Sequence, residues 1–310
     1  MARGGGELIR EHMSGKFIIP REELMHPGHS ACPGCGEPIA MRLLLKALGP
    51  RTVMNVPAGC CAVIPGVWPR YSLKIPLIDH AFECTGATSS GIRAALDAKG
   101  MNDITVVGWA GDGGTVDIGL QSLSGAIDRG TDFLYVMYDN EAYMNTGSQC
   151  SGSTPWGAWT TTTPGGNEIS HRTGKKRILE MLVENGVSYA ATVNIAFPED
   201  LIKRAQIAQS IRGPKFLHIL SPCPSGWKMD PSKTVEVAKL ATQTGMFPLY
   251  EYRDSQYQFT EEIKDRKPVE EYLRLQRRFR HLSPTQISEI QNLVDNRLRE
   301  LDARMEASRK

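Results

Sequence analysis

Short apolar runs alternate along most of the chain with segments in which apolar residues recur at helical spacing. The runs that end at Gly or at polar residues predict strands that are buried on both faces of a sheet. The segments with helical spacing predict amphipathic helices. The predicted strands are 52–56, 75–78, 104–109, 133–138, 189–193 and 215–220. The predicted helices are 36–48, 86–98, 118–128, 175–185 and 199–210.

This alternation of strands and helices indicates an α/β protein with a doubly wound, mostly parallel sheet and helices on both faces. We expect an irregular polar arm over residues 1–25 and the α/β domain over residues 26–245. Residues 246–310 are predicted to form a C-terminal arm, in which residues 250–267 are aromatic and charged without a clear period.

The C-terminal arm contains one predicted amphipathic helix, over residues 285–305. Its apolar stripe consists of Ile287, Ile290, Leu293, Val294, Leu298 and Leu301. Such a stripe must be buried, and the sequence leaves open whether it packs on its own domain or on a partner subunit.

Charge and hydropathy exclude two classes of function. The 310 residues include 36 Lys and Arg against 34 Asp and Glu, a net charge of +2, so no basic excess is available to bind a nucleic-acid backbone. No segment approaches the roughly 20 apolar residues of a membrane-spanning helix. Residues 1–15 lack the apolar run of a signal peptide. We therefore expect a cytoplasmic protein that binds neither nucleic acid nor a membrane.

Three separate segments carry cysteines that could share one metal site. Cys32 and Cys35 flank a Pro-Gly turn, a spacing that suits a metal centre, a redox pair or half of a zinc site. Adjacent Cys60 and Cys61 follow one predicted strand, and Cys223 follows another.

The carboxyl ends of parallel strands meet at one sheet edge, so four thiols can converge there. Because the side chains of Cys60 and Cys61 diverge, only one of the two can belong to the set, and spacing does not decide which. The set suits structural zinc or a four-iron cluster. Among the spare thiols, Cys84 is expected in the core and Cys150 in a polar loop.

A glycine-rich turn follows the strand at 104–109 and consists of Gly111, Asp112, Gly113 and Gly114. Glycines let the backbone approach a phosphate, and the start of the following helix supplies N–H donors. Asp112 would repel a bare phosphate but could hold a divalent cation that bridges to it. Asn140 and the carbonyl of Ala142 follow the neighbouring strand and could complete a Mg2+ site.

Together these residues resemble the thiamine-diphosphate signature, in which Gly-Asp-Gly is followed after the next strand by Asn-Asn. Here Glu141 stands at the position of the second Asn. With the Cys-x-x-Cys-Gly, Gly-Cys and Pro-Cys-Pro segments, the chain is similar over residues 26–250 to the β subunits of 2-oxoacid:ferredoxin oxidoreductases. Segments 111–119 and 138–147 are very similar to the pyruvate and branched-chain members.

The resemblance implies a site for each of three cofactors: thiamine diphosphate, Mg2+ and a [4Fe-4S] cluster. The implied cluster ligands are Cys32, Cys35, Cys60 and Cys223, with Cys60 chosen over Cys61. The implied Mg2+ ligands are Asp112, Asn140 and the carbonyl of Ala142. The implied thiamine diphosphate contacts are Glu37, Gly59, Cys60, Gly111, Asp112, Gly113, Gly114, Asn140, Glu141, Ala142, Tyr143, Met144, Asn145 and Thr146. Asn145 is the implied catalytic residue.

The resemblance also implies oxidative decarboxylation of a 2-oxoacid. In this family thiamine diphosphate is the electron sink for loss of CO2, electrons pass singly through the cluster to ferredoxin, and most members transfer the acyl group to coenzyme A. The catalytic Glu for the aminopyrimidine comes from an α subunit, so this chain should be inactive alone; γ and δ subunits complete the complex.

A pyruvate-type substrate is favoured, while oxalate, phenylglyoxylate and branched-chain 2-oxoacids stay open. Trp68, Trp156, Trp159 and Arg70 are candidate pocket residues. The competing hypotheses are a non-oxidative thiamine-dependent decarboxylase and a non-enzymatic protein that binds zinc or relays electrons.

Overall fold

A computed structural model describes residues 19–67, 69–164 and 174–309, and its centre is one eight-stranded sheet. The spatial order of the strands is β2-β1-β3-β4-β6-β5-β7-β8, and the first six are parallel. The strands are β1 Thr52–Pro57, β2 Leu77–His80, β3 Thr105–Gly111, β4 Phe133–Asp139, β5 Tyr189–Asn194, β6 Pro214–Leu220, β7 Tyr250–Arg253 and β8 Gln256–Phe259. The predicted mostly parallel α/β fold is confirmed.

Helices connect these strands and follow the sheet at the C-terminus. They are α1 Gly36–Leu48, α2 Cys60–Val63, α3 Thr85–Ala98, α4 Leu120–Asp128, α5 Ile178–Glu184, α6 Pro198–Ser210, α7 Pro224–Trp227, α8 Thr234–Gln243, α9 Val269–Leu273 and α10 Pro284–Ser308. None of the helices within the described ranges is long and apolar enough to cross a membrane.

Apolar cores lie on both faces of the sheet. Neighbouring Val106 and Val107 of β3 are almost completely buried and point into opposite cores, as the pleat of a strand requires. One core includes Leu44 of α1, and the other includes Leu123 of α4. This two-sided burial explains why the central strands are nearly continuous apolar runs.

Several predicted boundaries differ from the structure, and three of them have an identifiable local feature. Strand β2 begins at Leu77 rather than at residue 75, because Pro76 has no N–H to donate to a ladder. The helix predicted from residue 118 is preceded by a π-helical turn at Gly114–Ile118, and α4 starts after Gly119. Helix α5 starts at Ile178 rather than at residue 175.

The hairpin formed by β7 and β8 was not predicted. Asp254 and Ser255 join its strands and both have left-handed backbone, with φ values of 51° and 63°, as a two-residue hairpin turn requires. Strand β7 pairs antiparallel with β5, so the sheet continues beyond residue 245. The division of the chain into an arm, a domain and a second arm stays a prediction.

The long helix α10 packs on its own chain. Its start is fixed by a capping box between Ser283 and Gln286. Leu301 and Met305 are buried in the same core as Leu123, while Leu293 remains 38% exposed. Most residues of the predicted apolar stripe therefore pack against other parts of this chain.

Candidate cofactor-binding site

A cavity of about 170 Å3 lies at the carboxyl ends of β1, β2, β3 and β4. Segments that follow these four strands reach it, as expected for a ligand site at the edge of a parallel sheet. Its lining consists of Ala58, Gly59, Cys60, Phe82, Gly111, Asp112, Gly113, Gly114, Tyr138, Asn140, Ala142, Tyr143, Met144, Asn145 and Thr146. Every predicted thiamine diphosphate contact except Glu37 and Glu141 is in this lining.

Three oxygen atoms converge at one end of the cavity. The side-chain oxygen of Asn140 faces Asp112 Oδ1 at 3.1 Å and the carbonyl oxygen of Ala142 at 2.8 Å. Without a cation, a turned amide would let its nitrogen donate to both of these oxygens. With a divalent cation, the three oxygens would all face the metal, which is the donor chemistry that Mg2+ prefers. The residues therefore fit the implied cation.

Asp112 is a buried acid next to a second acid. Burial and the neighbouring Asp139 carboxylate raise the pKa of Asp112 well above its usual range. The Ser151 hydroxyl donates to Asp112 Oδ2 and partly offsets this effect. A divalent cation at the convergent oxygens would stabilise the ionised form of Asp112.

The glycine-rich turn approaches the opposite wall too closely for a side chain. A Cβ at Gly113 would collide with the ring of Tyr143, so glycine is required for this contact. The Tyr143 hydroxyl donates to Asp117 Oδ2 at 2.9 Å, which holds the ring across the turn. Asn145 and Thr146 lie exposed at the rim of the cavity.

Asp139, the last residue of β4, has a different role from Asp112. It accepts hydrogen bonds from the Glu141 amide at 2.9 Å and from Ser153 Oγ at 2.7 Å. Lys175 Nζ and His218 Nε2 lie 2.9 and 2.8 Å from its carboxylate. Burial opposes its ionisation, but Lys175, His218 and Ser153 outweigh it and hold the pKa of Asp139 below its usual range.

Glu37 lies in the first turn of α1, outside the cavity lining. Trp109 Nε1 donates to Glu37 Oε1 at 3.0 Å, and Oε2 has no hydrogen-bond partner among the residues that the structure describes. Burial raises the pKa of Glu37 to about 8. The Glu37 carboxyl group also contributes to raising the pKa of Cys35 and of Cys60, after burial.

Backbone hydrogen bonds hold the three cysteine segments together. Gly36 N donates to Pro222 O at 3.0 Å, which joins the first cysteine turn to the Cys223 segment. Ser30 N donates to Ile64 O at 3.1 Å, which joins that turn to the segment after Cys60. Gly34 has a φ of 71°, a left-handed conformation that favours glycine in the turn between Cys32 and Cys35.

The thiols of the predicted set act on one another electrostatically. Burial raises the pKa of Cys35, and the nearby Cys223 and Cys60 add to this effect. Burial likewise raises the pKa of Cys60, with contributions from Cys223 and Cys32. Cys61 is instead fully buried and donates its thiol to Pro57 O at 3.2 Å. Cys60 is therefore the member of the adjacent pair that lies on the cavity wall.

The four thiols can be compared with the ligand requirements of a single metal ion and of a four-iron cluster. Within residues 19–67, 69–164 and 174–309, no three His, Cys, Asp or Glu side chains form a group that could hold a single metal ion. A four-iron cluster takes one thiolate at each of four separate iron atoms, so its ligands need not converge on one point. The donor set of four thiols fits such a cluster.

The other candidate pocket residues are not in the cavity lining. Arg70 is exposed, and Trp159 lies under Lys228, whose Nζ is 3.1 Å from the ring centroid. Trp156 packs in the core that contains Trp227. Trp68 lies outside the described residues. Phe82 and Tyr138 line the cavity but were not predicted from the sequence, although Tyr138 directly precedes the Asp139-Asn140 pair.

Known proteins resemble this chain in sequence and in fold. Residues 67–219 match the family model of the thiamine pyrophosphate enzyme C-terminal TPP-binding domain. Ketoisovalerate oxidoreductase subunit VorB of Pyrococcus furiosus is 47% identical over 294 residues, which are 92% of this chain and 94% of that protein. Pyruvate synthase subunit PorB of Methanothermobacter marburgensis is 49% identical over 284 residues, 91% of this chain and 99% of that protein.

A solved structure supports the fold. It is the 2-oxoglutarate:ferredoxin oxidoreductase from Magnetococcus marinus with 2-oxoglutarate, coenzyme A and succinyl-CoA bound. The TM-score is 0.57 at 20% identity, and the match covers 73% of this chain and 82% of that chain. Taken with the identity to the subunits above, these likenesses show that the chain belongs to the β subunits of the 2-oxoacid:ferredoxin oxidoreductases, which are parts of multi-subunit enzymes.

Proposed function

We propose that this chain binds Mg2+ and thiamine diphosphate in the 170 Å3 cavity and a [4Fe-4S] cluster at Cys32, Cys35, Cys60 and Cys223. The observation that carries the proposal is that three oxygens converge inside a cavity whose wall includes Cys60. A diphosphate site and an electron acceptor would therefore share one sheet edge.

Asp112, Asn140 and the Ala142 carbonyl would hold the cation. The backbone N–H groups of the glycine-rich turn and of the helical turn that follows would donate to the diphosphate. Gly113 and Gly114 have no side chains between the backbone and the cavity, which supports this close approach. Asn145, at the exposed rim, is proposed to contact the reacting part of the cofactor and substrate.

When bound, thiamine diphosphate supplies the electron sink for decarboxylation, and the cluster accepts the resulting electrons one at a time. The four cysteines would hold the cluster as thiolates. The N–H of Gly226 donates to Cys223 Sγ at 3.4 Å, a contact that would stabilise negative charge on that sulfur. Cys60 belongs to both the cavity lining and the cysteine set, so this one residue would contact the cluster and border the diphosphate site.

The proposed reaction is the oxidative decarboxylation of pyruvate in a cytoplasmic complex, with ferredoxin as electron acceptor and coenzyme A as acyl acceptor. An α subunit would supply the acid that acts on the aminopyrimidine, and γ and δ subunits would complete the complex. A branched-chain 2-oxoacid is the second candidate substrate, since a relative of similar identity is named for ketoisovalerate.

The test uses the complete complex, purified without oxygen and stripped of thiamine diphosphate and Mg2+. Ferredoxin reduction is then measured with pyruvate, 2-oxoisovalerate, phenylglyoxylate and oxalate, with each cofactor and coenzyme A added or withheld. We expect turnover with pyruvate only when thiamine diphosphate, Mg2+ and coenzyme A are all present. Turnover that does not depend on thiamine diphosphate would disprove the proposed function, and a preference for 2-oxoisovalerate would replace pyruvate as the substrate.

A further inference from the structure

A buried arginine from the C-terminal arm contacts the loop that follows β4. Arg278 lies in the single helical turn Arg277–Phe279 and is only 2% exposed. Its Nη2 forms an ion pair with Glu141 Oε2 and donates to Gln276 Oε1 at 2.7 Å. Its Nε also donates to Gln276 Oε1, at 3.0 Å. The guanidinium is thus held in one orientation over the loop.

Glu141 is an unusual residue for its place in this loop. It stands between Asn140 and Ala142, is 3% exposed, and has a φ of 68° that few non-glycine residues adopt. A buried carboxylate needs cationic partners. Lys175 Nζ supplies one at 2.5 Å from Oε1, and Arg278 supplies the other at Oε2.

Arg278 also contacts the segment that carries Cys223. Its guanidinium carbon lies 4.0 Å from the ring centroid of Trp227, at the end of α7. Trp227 Nε1 donates to the carbonyl oxygen of Asn140 at 2.7 Å, and Trp227 N donates to Cys223 O at 2.8 Å. Arg278 therefore lies against both the cation-binding turn and the cysteine segment.

From these contacts we infer that Arg278 is a positioning residue, which fixes the 140–142 turn for the cation and diphosphate and joins it to the Cys223 segment. The inference rests on the proposed function, because it concerns the same cation site. Arg278 does not reach the cavity lining itself. Its effect would pass through the Glu141 carboxylate and the Trp227 indole.

The two contacts require an arginine rather than a generic cation. A planar guanidinium can stack on an indole while its edge donates to a carboxylate and an amide, whereas a lysine ammonium cannot do both. Removing only one member of a buried ion pair leaves an uncompensated charge. In this chain Lys175 would stay paired with Glu141 Oε1, but Oε2 would lose its cation, in the residue between Asn140 and Ala142.

The experiment compares Arg278→Met with Arg280→Met in the complete complex. Arg280 is an exposed cation two residues away on the same arm and serves as the matched control. We expect Arg278→Met to raise the apparent Kd for thiamine diphosphate, measured in Mg2+ by fluorescence quenching, by about 10- to 100-fold. Arg280→Met should bind the cofactor like the unaltered complex.

A double variant separates positioning from a general loss of structure. Adding Glu141→Gln to Arg278→Met removes the buried carboxylate that has lost one of its two cations, so cofactor affinity should recover most of its loss. The inference is overturned if Arg278→Met binds like Arg280→Met, or if the double variant binds no better than Arg278→Met alone.

If the complex that carries Arg278→Met does not assemble, the Glu141→Gln variant alone tests the inference. This isosteric change should weaken cofactor binding, and unchanged binding would overturn the inference. A different result would contradict the proposed function itself: an unaltered complex that binds no thiamine diphosphate would reject that function, whatever the variants do.

Discussion

At the scale of single residues, Asp112 and Asp139 show how neighbouring acids acquire different roles. Both are buried and each accepts a hydrogen bond from a serine hydroxyl, but Asp139 also lies beside Lys175 and His218, whereas Asp112 faces the side-chain oxygen of Asn140. Asp139 therefore stabilises the loop as an anion within the protein. Asp112 is the acid that would contact the proposed cation.

Replacing Asp112 with Asn should therefore separate cation binding from folding. The change keeps the shape and removes one negative charge, so we expect the half-saturating Mg2+ concentration for cofactor binding to rise. A lost buried charge contact of about 3 kcal/mol corresponds to ~100-fold. Isothermal titration of the stripped complex with Mg2+ in the presence of thiamine diphosphate measures this effect.

Asp128→Asn is the control for this substitution, since Asp128 is an exposed acid at the end of α4. It should leave the Mg2+ requirement unchanged. Equal Mg2+ requirements for the two variants would reject Asp112 as a cation ligand.

Some of these residues could be predicted from local sequence and others could not. Asp112 and Asn140 were identifiable because each directly follows a buried apolar strand, and parallel strands bring their carboxyl ends together. The partners of Glu141 could not be found in this way. Arg278 is 137 residues away from it in an arm without clear periodicity, and its burial is a result of tertiary packing.

At the scale of elements, the order of the sheet positions the site. Strands β1, β3 and β4 are neighbours, so the segments after residues 57, 111 and 139 border one cavity. Strand β6 lies beside β4, so Cys223, which follows β6, lies at the same edge of the sheet. The hairpin of β7 and β8 was missed because its polar and aromatic residues suit an edge hairpin and form no continuous apolar run.

A buried charge network attaches this hairpin to helix α6. Arg204 of α6 lies 2.6 Å from Glu251 of β7 and 2.9 Å from Asp200. The Tyr189 hydroxyl of β5 also donates to Glu251, at 2.6 Å. Each carboxylate therefore depends on the same guanidinium for charge compensation.

Replacing Arg204 with Met should destabilise the fold without touching the cavity. Two buried carboxylates would lose their cation, which costs about 3–5 kcal/mol in the free energy of unfolding. Urea denaturation followed by tryptophan fluorescence measures the loss. Arg212→Met, at a side chain that is 75% exposed, should change the free energy by less than about 0.5 kcal/mol. Similar losses in the two variants would contradict the network's role.

At the scale of the whole molecule, the cavity is open on the side where Asn145 and Thr146 are exposed. The chain belongs to subunits of multi-subunit oxidoreductases. Family membership followed from the combination of the glycine-rich turn with the three cysteine segments. Neither net charge nor length could have predicted it.

The central claim is that one sheet edge of this chain carries both the cofactor cavity and a four-iron cluster. Its most direct test is the iron, zinc and thiamine diphosphate content of the anaerobic complex in Cys35→Ala and in the control Cys84→Ala. We predict that Cys35→Ala loses about four iron atoms per copy of this chain, with the matching visible absorption, while Cys84→Ala keeps them. Equal iron content in the two variants, or a loss of zinc in place of iron, would contradict the account.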